Sequence, residues 1–231
     1  MDFLAWRFLL ASLIMLLIRP ACLRGISRLG ILRGIGLGLV LGLGYISQTY
    51  GLLYASAAVS GFITGMFVVL TPVMAWLILR RRTNLATWLA VLLAALGLGL
   101  LSLHGWAVGK GEALTLACAI FFAIHIVGLG EWSSRHDVYA LTLLQLTTVG
   151  VVSLVAAAPG GIDLPPDGGV WATIALTAVL ATALAFVVQT WAQSLVSATR
   201  AAVVMTMEPV FAGIFAVAFG ANRLDVLEHL L

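Results

Sequence analysis

Eight apolar runs follow one another along this chain, separated by short polar stretches. They cover residues 3–18, 31–54, 59–79, 85–103, 113–129, 138–158, 170–195 and 201–219. Roughly 20 apolar residues carry an α-helix across a bilayer. A backbone in lipid must satisfy its own N–H and C=O groups, so each run predicts a helix. Asp225 to Leu231 begins an amphipathic pattern and then stops. The pattern predicts an all-α integral membrane protein with eight full transmembrane helices and a C-terminal stump.

Within the runs, small and polar residues are placed with a period. Gly30, Gly34, Gly38 and Gly42 recur every four residues and predict a smooth stripe against which a neighbouring helix can lie closely. Between Ala55 and Leu79 there is no charged side chain, yet Gln48, Thr64 and Thr71 sit at depth, Thr71 just before Pro72. Polar groups inside a membrane segment face a bundle interior or a wet cavity.

Charge adds a topology. Nine of the twelve basic residues (Arg19, Arg24, Arg28, Arg33, Arg80, Arg81, Arg82, Arg135 and Arg200) fall in loops that share one side if the spans alternate. Only Arg7, Lys110 and Arg223 fall at opposite ends. The positive-inside rule assigns the basic side to the cytoplasm and the whole chain to the inner (plasma) membrane as a multi-pass protein. The residues 159–169 loop, with two acids and no Lys or Arg, suits the outside. Met1 then starts outside with no export signal, so a helix ahead of Met1 is expected to be missing.

Composition narrows the class. The chain of 231 residues is 62% hydrophobic and 9% charged, whereas soluble domains carry about 25% charged residues. The net charge of +3 comes from topology-setting residues and implies no nucleic-acid partner. Cys22 and Cys118 cannot build a disulfide framework. No H-E-x-x-H, G-x-S-x-G or phosphate-loop motif is present, nor metal-ligand spacing, which argues against an enzyme, a cofactor and a resident metal.

Residues 104–112 form a polar, glycine-rich break and divide the chain into halves, 1–104 and 111–231. Gln48-Thr49-Tyr50 is echoed by Gln189-Thr190-Trp191, 141 positions later, and Thr71-Pro72 by Glu208-Pro209, 137 positions later. By the alternating topology the first copy rises outward and the second descends, so the halves read as inverted repeats. That construction places a binding site near midplane between the halves.

The candidate substrate-binding residues are Gln48, Thr64, Thr71, His125, Gln145, Gln189 and Glu208. Glu208 lies eight residues past Arg200, about 12 Å along a helix. A carboxyl there can bind a cationic group or a driving proton; a structural, protonated glutamate is the other reading. Gln48 and Gln189 occupy matching places and can hold a polar substrate or simply bond between helices. Thr64 and Thr71 share one face, as do Thr142, Gln145 and Thr148, although threonines also bond their own helix backbone. His125 can relay protons or serve as a packing residue. Arg7 is expected to snorkel to the interface. Trp76, Trp88, Trp106, Trp132 and Trp171 read as interfacial anchors.

W-R-F-L-L-A from Trp6, G-L-L-Y-A-S-A-A-V-S-G-F-I-T-G from Gly51, V-L-T-P-V-M-A-W from Val69, R-H-D from Arg135 and M-E-P-V-F-A-G-I-F-A from Met207 occur in an order that resembles the EamA-type members of the drug/metabolite transporter superfamily. The resemblance implies a ten-helix fold of two inverted five-helix repeats, here lacking the first helix and with the last cut short. It implies a secondary transporter of small organic metabolites, working by alternating access and exporting them. The family's Gly-Glu after the second proline helix is replaced here by Gly220-Ala221-Asn222. A non-transporting, degenerate paralogue acting as an assembly partner is the alternative. The implied partners are a small-molecule substrate and the lipid bilayer, and the reading allows a homodimer.

Overall fold

The computed structural model describes residues 1–80 and 109–205, together with positions 85, 86, 88, 89, 92, 93, 96 and 207. Most of the expected span at 85–103, most of that at 201–219 and the C-terminal stump lie outside the described residues. The described residues are mainly helical, with turns and loops between the helices and no strand among them.

The helices are α1 (Asp2–Ile18), α2 (Arg28–Gly51), α3 (Ala57–Gly65), α4 (Phe67–Leu79), α5 (Lys110–Trp132), α6 (Val138–Ala157), α7 (Gly168–Leu176), α8 (Ala185–Leu195) and α9 (Ala198–Met205). A π-helical segment, Thr177–Leu184, joins α7 to α8. Among the described residues, five stretches are long and apolar enough to cross a membrane: Arg28–Gly51, Val59–Leu79, Lys110–Arg135, Val138–Gly160 and Gly168–Leu195. The chain is a multi-pass membrane protein. The starts of these helices are chemically marked. Ser27 accepts from the Gly30 N–H, Ser56 from Val59, Asp137 from Ala140, and Asp167 from both Gly169 and Val170. Each satisfies donors that the first helical turn leaves without intrahelical partners.

The expected span at 59–79 is one membrane crossing with a break in it. α3 and α4 meet at Met66, whose N–H turns to the carbonyl of Ile63, a tightened three-residue closure. Pro72, one turn on, has no N–H to give its own helix.

α2 is the central element. It packs on α5 along one side and α6 along the other, while α1 lies against α6 and the π segment, and α4 against α5 and α9. The glycine stripe explains the closeness to α6. A Cβ on Gly34 would stand 2.7 Å from Leu144 Cβ, and one on Gly38 would stand 2.7 Å from the Gln145 carbonyl oxygen. Real side chains cannot occupy those positions, so only glycine allows the two backbones this approach. On its other side α2 meets α5 through Gly44, against Phe122, and Gly51, against Thr115.

The contacts between helix ends agree with alternating spans. The end of α1 meets the start of α6 through Arg19 and Asp137, and the start of α2 meets the same turn through Arg33 and His136. At the opposite end, Trp6 donates to the Asp163 carbonyl at 3.1 Å and Gly111 lies against Ala55. The main core holds Phe8, Met15, Leu41, Leu146, Ala178 and Phe186. Leu17, Ile18, Leu32, Leu53, Val155 and Leu184 are exposed on the outside, as a lipid-facing surface requires. Trp76 and Trp171 are also exposed, at the helix ends where anchors are expected.

Candidate functional site

Two groups of polar side chains are hydrogen-bonded between helices inside the bundle, with aromatic rings between them. The first lies between α2, α3 and α5. Gln48 donates its amide N–H to Thr64 Oγ1 at 3.1 Å. Thr64 in turn bonds with the buried thiol of Cys118. One turn toward the start of α3, Ser60 and Thr115 stand 3.4 Å apart and Thr115 donates to the Gly111 carbonyl. The close approach of Gly51 and Gly111 brings these helices together here.

The second cluster lies between α5, α6 and α8. His125 Nε2 and Gln145 Oε1 are 2.7 Å apart, with the residues 2% and 0% exposed. Gln145 Oε1 can only accept, so Nε2 carries the proton. The Gln145 amide is oriented by its own N–H, donated to the Leu141 carbonyl at 3.1 Å. Its backbone is the surface against which Gly38 rests, so the glycine stripe also positions this amide. The hydroxyl of Thr142, one turn before Gln145, lies 2.9 Å from Thr190 Oγ1 on α8, within hydrogen-bond distance. The π segment delivers α8 to this place, and π turns in helices are enriched at functional sites.

Between the clusters runs a chain of rings. Phe122 and Tyr45 have centroids 5.3 Å apart, Tyr45 and Phe8 5.1 Å, Phe8 and Phe186 6.2 Å, and Phe186 and His125 6.5 Å. All four contacts are edge-to-face, the geometry the ring quadrupole favours. Arg7 departs from its expected snorkelling. Its guanidinium carbon lies 4.8 Å from the Phe8 ring and 5.6 Å from Tyr45, and its Nε is buried without a hydrogen bond. The rings beside it offer their negative faces to the cation, which draws it inward.

The seven residues singled out from sequence fare differently. Gln48 joins Thr64, and His125 joins Gln145. Thr71 is fully buried but donates to the Phe67 carbonyl of its own helix at 2.7 Å, the backbone alternative. Gln189 is half-buried on α8, and no hydrogen bond joins it to Gln48 among the described residues. Glu208 lies outside the described residues. Of the α6 stripe, Thr142 and Gln145 reach across to other helices, while Thr148 donates to the Leu144 carbonyl and its Cβ faces Gly38.

Sequence reasoning missed Phe186, Thr190 as a bonding partner, and Gln193. Phe186, Thr190 and Gln193 follow the three- and four-residue spacing of one α8 face, which was the available signal. Gln193 is 2% exposed and neither its oxygen nor its nitrogen has a partner. Ser133, on a short helical turn packed against α8, is equally buried and unpartnered. Buried amides without partners are rare because desolvation costs about 1–3 kcal/mol.

Comparison with known proteins adds a family. The model of the EamA-like transporter family matches residues 1–103 and again 109–230. A relative from Archaeoglobus fulgidus described as an uncharacterized transporter is 32% identical over 196 residues, which is 85% of this chain. The match spans 63% of that relative's length. A solved crystal structure superposes with a TM-score of 0.71 at 18% identity, over 96% of this chain and 80% of that one, a likeness of fold.

Proposed function

The chain belongs to the EamA-like transporter family, and on that premise we propose that it is a secondary transporter of small organic metabolites in the cytoplasmic membrane, working by alternating access and moving its substrates outward. One observation supports this most: a buried His125–Gln145 pair at 2.7 Å, set against an aromatic ring inside the helix bundle. Buried polar groups in membrane helices are costly and gather on substrate and ion paths. The amide and imidazole suit a solute that offers hydrogen-bonding groups, and the Phe8–Phe186 rings suit its apolar part.

In this proposal the outer cluster, Gln48 with Thr64, and the inner cluster, His125 with Gln145, are successive contacts on one path. The halves matched separately by the family model move against each other around it as inverted repeats. Gln189 lines the same path from α8. Glu208 supplies the charged group that takes up the coupling proton or a cationic part of the substrate.

The test is flux. The purified chain is reconstituted into liposomes and offered a panel of amino acids, nucleosides and aromatic metabolites, with and without an imposed proton gradient. Gradient-dependent movement of at least one class is expected, and Glu208→Gln is expected to abolish the gradient dependence while leaving the amount of folded protein unchanged. No movement of any panel member in either condition refutes the proposal. Equal loss of folded protein and flux in Glu208→Gln refutes the role given to that carboxyl.

A further inference from the structure

The loop between α1 and α2 and the turn between α5 and α6 enclose a hollow of about 320 Å³ at the basic end of the bundle. Its wall includes Arg19, Arg24, Ser27, Arg135, His136 and Asp137. Two of these are helix N-caps: Ser27 begins the 24-residue α2 and Asp137 the 20-residue α6. The positive ends of two long helix dipoles therefore converge on one space.

The formal charges there are unequal. Arg19, Arg24, Arg28, Arg33 and Arg135 cluster at this end, and the acids facing them are Asp137 and Glu131. Both carboxylates are engaged. Asp137 accepts from the Ala140 N–H and from Arg19 Nη1 at 3.2 Å, and Glu131 accepts from Arg135 one turn on. Arg24 forms no ion pair among the described residues. His136 reports the resulting field. Its Nε2 accepts from Arg33 Nη1 at 3.1 Å, and desolvation together with the charges of Arg33 and Arg135 holds its pKa below the ordinary 6.5. After desolvation, the two arginine charges disfavour a further cation at the imidazole, and that part of the environment favours an anion.

We propose that this hollow is a binding site for an anionic phosphate group, held by Arg24, Arg19 and Arg135 over the N-termini of α2 and α6. Two sources share that chemistry: the headgroup of an anionic phospholipid in the adjoining leaflet, and soluble phosphate. The position favours the lipid, because a basic segment beside a membrane span meets the anionic inner surface. Helix N-termini bind phosphate through their unpaired N–H groups and dipole, and arginine adds planar, charge-assisted donors. A headgroup bound here would tie the α1–α2 loop to the α5–α6 turn, two parts separated by more than a hundred residues.

Thermal unfolding of the purified protein in mild detergent tests the site. Short-chain phosphatidylglycerol, short-chain phosphatidylcholine and inorganic phosphate are titrated in separate arms. Phosphatidylglycerol is expected to raise the unfolding temperature and phosphatidylcholine to leave it unchanged. Arg24→Gln should weaken the apparent affinity for phosphatidylglycerol about tenfold, the loss of one charge-assisted hydrogen bond. A shift with inorganic phosphate alone, lost in Arg24→Gln, supports the site and identifies the soluble source. A salt series on the native chain stands independently of the variant: the shift must shrink as ionic strength rises, since the groups lie at the surface. Equal shifts with both lipids, no shift with any probe, a salt-independent shift, or an Arg24→Gln response equal to the native one each overturns the proposal.

Discussion

Gly38→Ala is the sharpest perturbation of this fold, because the atoms it meets cannot move aside. The added Cβ would stand 2.5 Å from Thr148 Cβ, 2.7 Å from the Gln145 carbonyl oxygen and 3.0 Å from Gln145 Cα. Carbon atoms settle at about 3.5–4.0 Å, so α2 and α6 must part by roughly 1 Å. Overpacking of this kind costs about 1–3 kcal/mol. Replacing a mid-helix glycine with alanine returns about 0.5–1 kcal/mol through backbone entropy. The expected net loss is therefore between about 0 and about 2.5 kcal/mol. Gly36→Ala is the control: it lies on the same helix and nothing stands within 4 Å of its added Cβ. It gains the entropy term alone, about 0.5–1 kcal/mol. Equilibrium unfolding in mixtures of mild and denaturing detergent, followed by tryptophan fluorescence, measures both. The gap between the variants should reach at least about 1 kcal/mol, the overpacking term by itself. The displaced atoms belong to Gln145, so Gly38→Ala should also impair transport while Gly36→Ala does not. A Gly38→Ala protein as stable as Gly36→Ala would refute the close packing and the account of how Gln145 is held.

Three further outcomes follow from the site. Gln145→Leu leaves the His125 ring buried without its partner and should lower stability by about 1–3 kcal/mol and reduce flux; unchanged flux would remove the pair from the path. Thr71→Val removes only a hydroxyl bonded to its own helix, so flux should stay within about twofold of native, the effect of a few tenths of a kcal/mol, whereas Gln48→Leu, which breaks the link to Thr64, should reduce it more; flux assays on the two variants side by side decide this. The third outcome concerns pH. The folded pKa of His136 lies below its ordinary 6.5, so the unfolded chain binds the proton first. Stability contributed here is present above pH 6.5 and is lost as pH falls below it toward the folded value. Unfolding midpoints measured between neutral and mildly acidic pH should fall less steeply in His136→Gln than in the native chain.

The sequence alone marked the apolar runs, of which the described residues show five long enough to cross a membrane, and the ends that carry the basic residues. The reason is local: in lipid each segment must satisfy its own backbone, so run length and flanking charge suffice. The glycine stripe likewise announced a close neighbour, since a face without side chains has no other use at that spacing. Which helix fills it was not legible. That α6 does so, carrying Gln145 to His125, depends on contacts between segments about a hundred residues apart. The same non-local choice separates the threonines. Thr71 and Thr142 look alike in sequence, and each donates to a carbonyl of its own helix, but only Thr142 has Thr190 standing opposite. The π segment and the burial of Gln193 belong to the same class. A polar side chain inside a bundle takes its partner from the helix that faces it, and that helix is selected by the packing of the whole bundle.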